Sequence, residues 1–282
     1  MPARGGLRGS YPPASVWRGG LARASALRGG LGGSSPLAST VWGAHAVSLL
    51  VEVARCRGGI NYMTDNAPIT WSVLIPVKLL AQAKSRLAAF AGTRRGELAL
   101  AIAGDTVAAV LDCDQAARTI VITDDPVAQS ALAGLGAIVV PDEPRDGLNA
   151  ALRHGAAHAV ARWPDSGTAA LSADLPALRP DQLARALRAA AAWPTAFVAD
   201  AAGDGTTLYA AAPGVPFEPA FGLASRARHA AGGAAELNLD GVPGLRRDVD
   251  TEDDLRDAVA LGTGPRTAPL AAELLRCAPR GR

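Results

Sequence analysis

From residue 71 to residue 261, short apolar runs alternate with longer stretches of helical periodicity, and no other feature of this chain limits its fold so strongly. Residues 71–77 form an apolar run of strand length. Residues 94–111 carry Leu98, Ala101, Ile102, Ala109 and Val110 in helical sequence, with Thr93 as a candidate N-cap. A strand over 119–123, a helix over 126–135, a short strand over 137–140 stopped by Pro141 and an alanine-rich helix over 148–162 follow. A strand over 168–172 then leads to a helix over 180–192, whose Pro180 suits a first turn. Strands near 195–198 and 207–212 and a helix over 251–261, capped by Thr251, complete the series. This alternation predicts an α/β fold: a single domain with a mostly parallel sheet and helices on both faces. Ligands of such sheets bind beyond the carboxyl ends of the strands.

The alternation does not extend to the chain ends. Residues 1–62 repeat Arg-Gly-Gly and Ala-Ser patterns and contain one acidic residue, Glu52. A stretch of this make-up cannot build a core and reads as a disordered leader. Its Arg- and Ser-rich, acid-poor composition has features of a transit peptide, but Met63 leads directly into the first strand. The favoured expectation is a true start at Met63, a domain over 63–264 and a flexible tail over 265–282, where Pro265, Pro269 and Pro279 fall.

A formal charge of +2 gives no support to a nucleic-acid or membrane-surface partner. The longest candidate span, 41–53, is interrupted by His45 and Glu52 and is too short to cross a bilayer. Cys56, Cys113 and Cys277 are far apart and show no zinc spacing, which fits a reducing, cytoplasmic setting.

Candidate chemistry gathers at the expected ligand edge. After the first strand come Lys78, Lys84 and Arg86, three cations placed to meet a triphosphate, without the Gly-x-x-x-x-Gly-Lys-Ser/Thr spacing of a P-loop. The alternative is a solvated basic surface. The run 169–173 ends at Asp174 and is followed by Leu175 and Pro176, which is how a parallel sheet presents a carboxylate at its edge. Asp174 is the leading metal ligand, and Mg²⁺ needs only one or two carboxylates besides phosphate oxygens. Asp248 and Asp250 lie on one side of an extended segment and are candidates for the second acid. Asp250 could instead help to start the last helix.

The glycine-rich stretch 203–207 can bring backbone amides close to an anion or simply turn a hairpin. Residues 221–225 form a second such loop, running into Arg226, Arg228 and His229. Asn149 could touch a base or ribose, or cap its helix. His154 and His158 stand at i, i+4 with no third ligand in sequence and are read as surface or packing residues. There is no Gly-x-Ser-x-Gly elbow and no His-Glu-x-x-His helix, so the expected chemistry needs no protein nucleophile.

Taken in order, Lys78, Lys84 to Leu87, Asp174 to Leu178, Gly203 to Thr206, Phe221 and Gly222, Ser225 to His229, and Asp248 to Thr251 resemble one family. The set is similar to the phosphoenolpyruvate (or 2-phospho-L-lactate) guanylyltransferases of coenzyme F420 biosynthesis, over residues 71–264. The resemblance implies a GT-A-like nucleotidyltransferase fold, GTP as substrate, Mg²⁺ as cofactor and a phosphorylated three-carbon acid as acceptor. It further implies that Thr206, Gly222 and Ser225 bind phosphoenolpyruvate and that Asp174, Asp248 and Asp250 bind metal. Catalytic roles are expected for Asp174, Lys78 and Lys84, and nucleotide contacts for Lys78, Lys84, Arg86 and Asn149. Hand-off of product to the next F420-pathway enzyme is a further expectation. Leu223 and Ala224 stand where a more polar pair is expected. The alternatives are a related enzyme for a sugar, isoprenoid or molybdopterin acceptor, a glycosyltransferase of the same fold, and a non-catalytic nucleotide-binding domain.

Overall fold

In the computed structural model the described residues are 69–143 and 145–277, so the expected leader over 1–62 and residues 278–282 of the expected tail lie outside them. Seven strands form one sheet in the order β3-β2-β1-β4-β6-β5-β7. They are β1 (Trp71–Pro76), β2 (Ala116–Ile122), β3 (Ile138–Val140), β4 (Gly167–Leu171), β5 (Thr195–Ala199), β6 (Thr206–Ala211) and β7 (Ala235–Glu236). β1 pairs in parallel with β2 and β4, β2 with β3, and β5 with β7. β6 runs antiparallel to both β4 and β5, so the sheet is mixed. The reason is the short β5–β6 connection, which can close a hairpin but cannot carry a parallel crossover.

Nine α-helices occur among the described residues: α1 (Ala88–Ala91), α2 (Arg95–Leu111), α3 (Pro126–Ala133), α4 (Leu148–Arg162), α5 (Pro180–Ala190), α6 (Ser225–Ala231), α7 (Pro243–Arg246), α8 (Glu252–Leu261) and α9 (Thr267–Cys277). The central strand shows why both sheet faces are covered. Val73 and Ile75 of β1 point into a cluster with Val107 and Val110 of α2 and Leu183 and Leu187 of α5. Leu74 points the other way, toward Leu152 and Ala156 of α4. Period two on the strand thus divides one apolar run between two helical layers. Gly155 lets α4 lie close to the sheet, because a Cβ there would clash with Ile122.

The expected cap on the last helix of the alternating series is present. Thr251 accepts from the Asp254 amide, and the Asp254 carboxylate accepts from the Thr251 amide, closing a capping box on α8. Thr93 is not a cap: it lies in a 3-10 turn (Gly92–Arg94), and α2 begins at Arg95 with no side-chain cap. None of the described helices is long and apolar enough to cross a membrane.

The expected flexible tail is corrected over most of its length. Residues 267–277 form α9, which buries Leu270 and Ala271 in a third cluster with Leu98 and Ile102 of α2 and Leu255 of α8. Its cap comes from another element. Asp105 of α2, with its side chain 1% exposed, accepts from the amides of Arg266 at 3.1 Å and Thr267 at 2.7 Å. Pro269 falls in the first turn, where its missing amide costs nothing. Replacement Asp105→Ala removes both bonds and should destabilise the fold by about 2 kcal/mol or more, with the C-terminal segment becoming protease-sensitive first. Urea denaturation and timed proteolysis measure this; an unchanged midpoint would show that α9 is held by packing alone.

Candidate active site

The carboxyl ends of β1, β4 and β5 open on a cleft of about 560 Å³. The chain leaves β1 through Val77 and the exposed Lys78, then turns back at Lys84, which adopts a left-handed conformation (φ 54°). A non-glycine residue holds such a conformation only when its surroundings enforce it. Here the side chain is only 10% exposed and its Nζ sits 2.5 Å from Asp174 and 3.2 Å from Asp250. Burial alone would lower the Lys84 pKa, but the two carboxylates outweigh it and hold the value above that of an ordinary lysine. Arg86 is exposed and reaches Asp250 at 3.5 Å.

Asp174 follows β4 and is fixed on both sides by Thr106 of α2. The Thr106 hydroxyl oxygen lies 3.2 Å from the Ala173 carbonyl and accepts from the Leu175 amide at 3.1 Å. The Asp174 carbonyl accepts from the Val249 amide at 3.1 Å, which draws the segment carrying Asp248 and Asp250 alongside. Val249 is fully buried, so its two neighbours face the cleft, as their period-two spacing predicts. The two readings of Asp250 are thereby separated. Thr251 and Asp254 form the α8 cap, and the Asp250 side chain is left to the two cations.

Asp200, which the sequence reading passed over, joins Asp204 in the acidic lining. It ends β5 as Asp174 follows β4, an apolar run terminated by a carboxylate, and that repeat was the available signal. Its carboxylate accepts from the amides of Gly203, Asp204 and Gly205 at 2.6, 3.1 and 2.9 Å, so it shapes the hairpin turn. A Cβ on Gly205 would strike that carboxylate. The glycine-rich stretch is therefore a hairpin turn that also lines the cleft.

Charge in this cleft is unbalanced around Asp248. Its carboxyl is pushed up to about 7, first by burial and then by repulsion from Asp174, Asp200 and Asp250. No ion pair to it is present among the described residues, and no group of three or more His, Cys, Asp or Glu side chains there is already arranged to hold a metal ion. A divalent cation held there would take one or two of these carboxylates and complete its shell with oxygens from substrate.

A further part of the cleft lining comes from β6 and the loop before α6. Thr206, Gly222 and Ser225 all line the cleft, with Thr206 and Ser225 buried. Ser225 opens α6 after Ala224, which is left-handed (φ 51°), and Gly222 has φ 114°. Leu223 between them is 89% exposed at the rim. The imidazole of His229 bridges Thr206 and the Ala220 amide, a role the sequence reading did not assign.

Two residues expected to contact nucleotide are engaged within the protein. Asn149 accepts from the Phe221 amide at 2.9 Å and donates to its carbonyl at 3.0 Å, so both ends of its side chain are engaged. It does not cap α4 either, since the N-cap there is Gly147. Lys84 is occupied by Asp174 and Asp250, which leaves Lys78 and Arg86 as the cations at the cleft rim. His154 and His158 do not line the cleft; His154 lies 4.0 Å from Glu143 on the surface.

Comparison with known proteins agrees with this geometry. Residues 83–250 match the MobA-like NTP transferase domain. The phosphoenolpyruvate guanylyltransferase of Thermomonospora curvata is 63% identical over 211 residues, covering 75% of this chain and 92% of that protein. The enzyme of the same name from Streptomyces coelicolor is 60% identical over 207 residues, covering 73% and 97%. Among solved structures, a protein of Desulfovibrio desulfuricans described as a nucleotide-diphospho-sugar transferase matches with a TM-score of 0.53 at 17% identity, over 73% of this chain and 94% of that one, which establishes the shared fold. An NTP transferase domain across most of the described residues, and relatives of one kind matched over nearly their whole length, place the chain in the phosphoenolpyruvate guanylyltransferase family of nucleotidyltransferases.

Proposed function

We propose that this chain transfers GMP from GTP to phosphoenolpyruvate, or to 2-phospho-L-lactate, with release of diphosphate, as a step of coenzyme F420 biosynthesis. The observation that carries the reading is one cleft lined both by the carboxylates of Asp174, Asp200, Asp248 and Asp250 and by Thr206, Gly222 and Ser225. The names of the close relatives support GTP and phosphoenolpyruvate as the substrates.

In the proposed reaction a phosphate oxygen of the acceptor attacks the α-phosphorus of GTP. The new P–O bond forms as the bond to the β-phosphate bridging oxygen breaks, and diphosphate leaves with that electron pair. A phosphate monoester loses its second proton near pH 6, at about 6, so the attacking oxygen needs no general base at neutral pH. The barrier is the approach of two anions, and the protein lowers it by positioning and by placing positive charge. Mg²⁺ held by Asp174 and Asp248 would neutralise phosphate charge at the reacting centre. The residues present suit such an ion, because Asp248 is surrounded by like charge that a cation would relieve. Lys84 keeps Asp174 and Asp250 in register, while Lys78 and Arg86 at the rim meet the β- and γ-phosphates. Thr206 and Ser225 seat the acceptor.

Incubation of the purified chain with GTP, Mg²⁺ and each acceptor should yield a guanylylated diphosphate by mass and free diphosphate by coupled assay. Inclusion of the next F420-pathway enzyme traps a labile product. Release of GDP in place of diphosphate would reassign the protein to glycosyl transfer. Asp174→Asn should lower kcat by about 100-fold or more while leaving the circular dichroism unchanged, since it removes a carboxylate that would hold the metal ion at the reacting phosphates; full turnover in that variant would sink the assignment.

The Asp248 carboxyl also predicts a pH dependence. Its folded value of about 7 lies above its unfolded value of 3.8, so between those limits the folded state binds more protons than the unfolded state. Stability of the Mg²⁺-free protein should therefore fall as pH rises through this interval. Asp248→Asn should flatten that slope, and Mg²⁺ should restore stability at neutral pH in the parent only. Melting temperatures at pH 5 and pH 7.5 test this, and identical slopes for parent and variant would remove Asp248 as the source.

A further inference from the structure

His229 is buried in the wall behind the acceptor side of the cleft, 2% exposed, and both of its ring nitrogens have partners. Tyr209 stacks on the imidazole at 4.6 Å between centroids, and Phe221 meets it edge-on at 5.3 Å. The Ala220 amide lies 2.9 Å from Nε2. A backbone amide can only donate, so Nε2 accepts and carries no hydrogen. Burial first, then the charge of Arg228, pushes the imidazole down to about 4, and it is neutral at physiological pH. The single N–H of a neutral imidazole with a bare Nε2 is at Nδ1. Nδ1 lies 3.0 Å from the Thr206 hydroxyl oxygen. That oxygen therefore accepts from His229, and the hydroxyl hydrogen must be directed elsewhere. Thr206 lines the cleft, where an oxygen of a bound ligand can receive that hydrogen.

We propose that His229 is a positioning residue that holds the Thr206 hydroxyl as a committed hydrogen-bond donor, so that this wall of the cleft selects an anionic oxygen of the acceptor. The proposal rests on the reading of Thr206 as an acceptor-seating residue. A hydroxyl is ordinarily free to donate or accept, and would then serve an ammonium or an amide N–H as readily as the oxygen of a carboxylate or phosphate. Occupying its acceptor side from behind removes that freedom and adds polarity through the chain of bonds. The same imidazole fixes the wall mechanically. By accepting from Ala220 it holds the residue next to Phe221, whose own backbone is clamped by Asn149, and Gly222 follows directly.

Steady-state kinetics with the acceptor and GTP varied separately tests this with the variants Thr206→Val, Thr206→Ser, His229→Phe, His229→Asn and the double variant Thr206→Val/His229→Phe. Thr206→Val should raise the acceptor KM about tenfold or more, the size expected for a lost hydrogen bond to a charged group, with the GTP KM unchanged. Thr206→Ser should restore it. His229→Phe keeps the aromatic packing but has no donor and should raise the acceptor KM to a similar degree. His229→Asn retains an amide N–H near the position of Nδ1 and should recover most of the loss. The double variant should be no worse than Thr206→Val, because His229 acts through that hydroxyl. Full additivity in the double variant, or equal impairment in His229→Asn and His229→Phe, would overturn the proposal and leave His229 a packing residue. An unchanged acceptor KM in Thr206→Val would overturn the seating role itself, and the proposal with it. NMR of the nitrogen-labelled imidazole in the unmodified protein provides a check that does not depend on any variant folding: the neutral Nδ1-protonated tautomer supports the proposal, and an Nε2-protonated or cationic ring overturns it.

Discussion

Like charges cannot be gathered at one edge of a sheet without something to hold them, and the arrangement of this molecule turns on the buried ammonium of Lys84. Its contacts with Asp174 and Asp250 join the loop after β1 to the turn after β4 and to the segment entering α8. The left-handed backbone at Lys84 is the local cost of aiming that side chain inward. Two carboxylates raise the pKa of a buried lysine that burial alone would lower, so the cation remains charged and the acids remain in register. Asp248, placed in the same field without an ion-pair partner among the described residues, has the opposite fate and is driven toward neutrality. The resulting imbalance is one that a bound cation would relieve.

The acceptor wall obeys a different constraint, that of hydrogen-bond direction. Asp200 organises the β5–β6 turn by accepting three successive amides, and Asn149 and His229 hold consecutive residues of the loop before α6. Each of these side chains could have been read as a ligand contact. Their polar groups are instead engaged within the protein, with backbone for Asp200 and Asn149 and with the Ala220 amide and the Thr206 hydroxyl for His229. A preorganised wall of this kind lowers the cost of ordering the site when substrate arrives.

Much of the architecture was legible because it is written in local periodicity. The run of β1, the full extent of α4 and the Thr251 cap follow from apolar spacing and capping chemistry that neighbouring residues decide among themselves. Asp174 was legible for a similar reason, since an apolar run ending in a carboxylate before Leu175 and Pro176 has few structural explanations. Asp200 carries the same signature in weaker form. The reversal of β6 and the helix α9 were less accessible. The first depends on how a six-residue connection closes, and the second is capped by Asp105 from a distant part of the chain.

The amino-acid sequence alone determined the α/β class, the placement of Asp174, Asp248 and Asp250 as edge acids, and a family resemblance carried by motifs in fixed order. Those properties depend on residue type and short-range spacing. Only the tertiary structure decided what each polar side chain faces: that Lys84 pairs with acids, that Asn149 grips Phe221, that Asp248 stands among like charges, and that the Ala220 amide sets the tautomer of His229. The physical reason is that hydrogen-bond partners and electrostatic fields are made by groups remote in sequence, and no local pattern records which of them will meet.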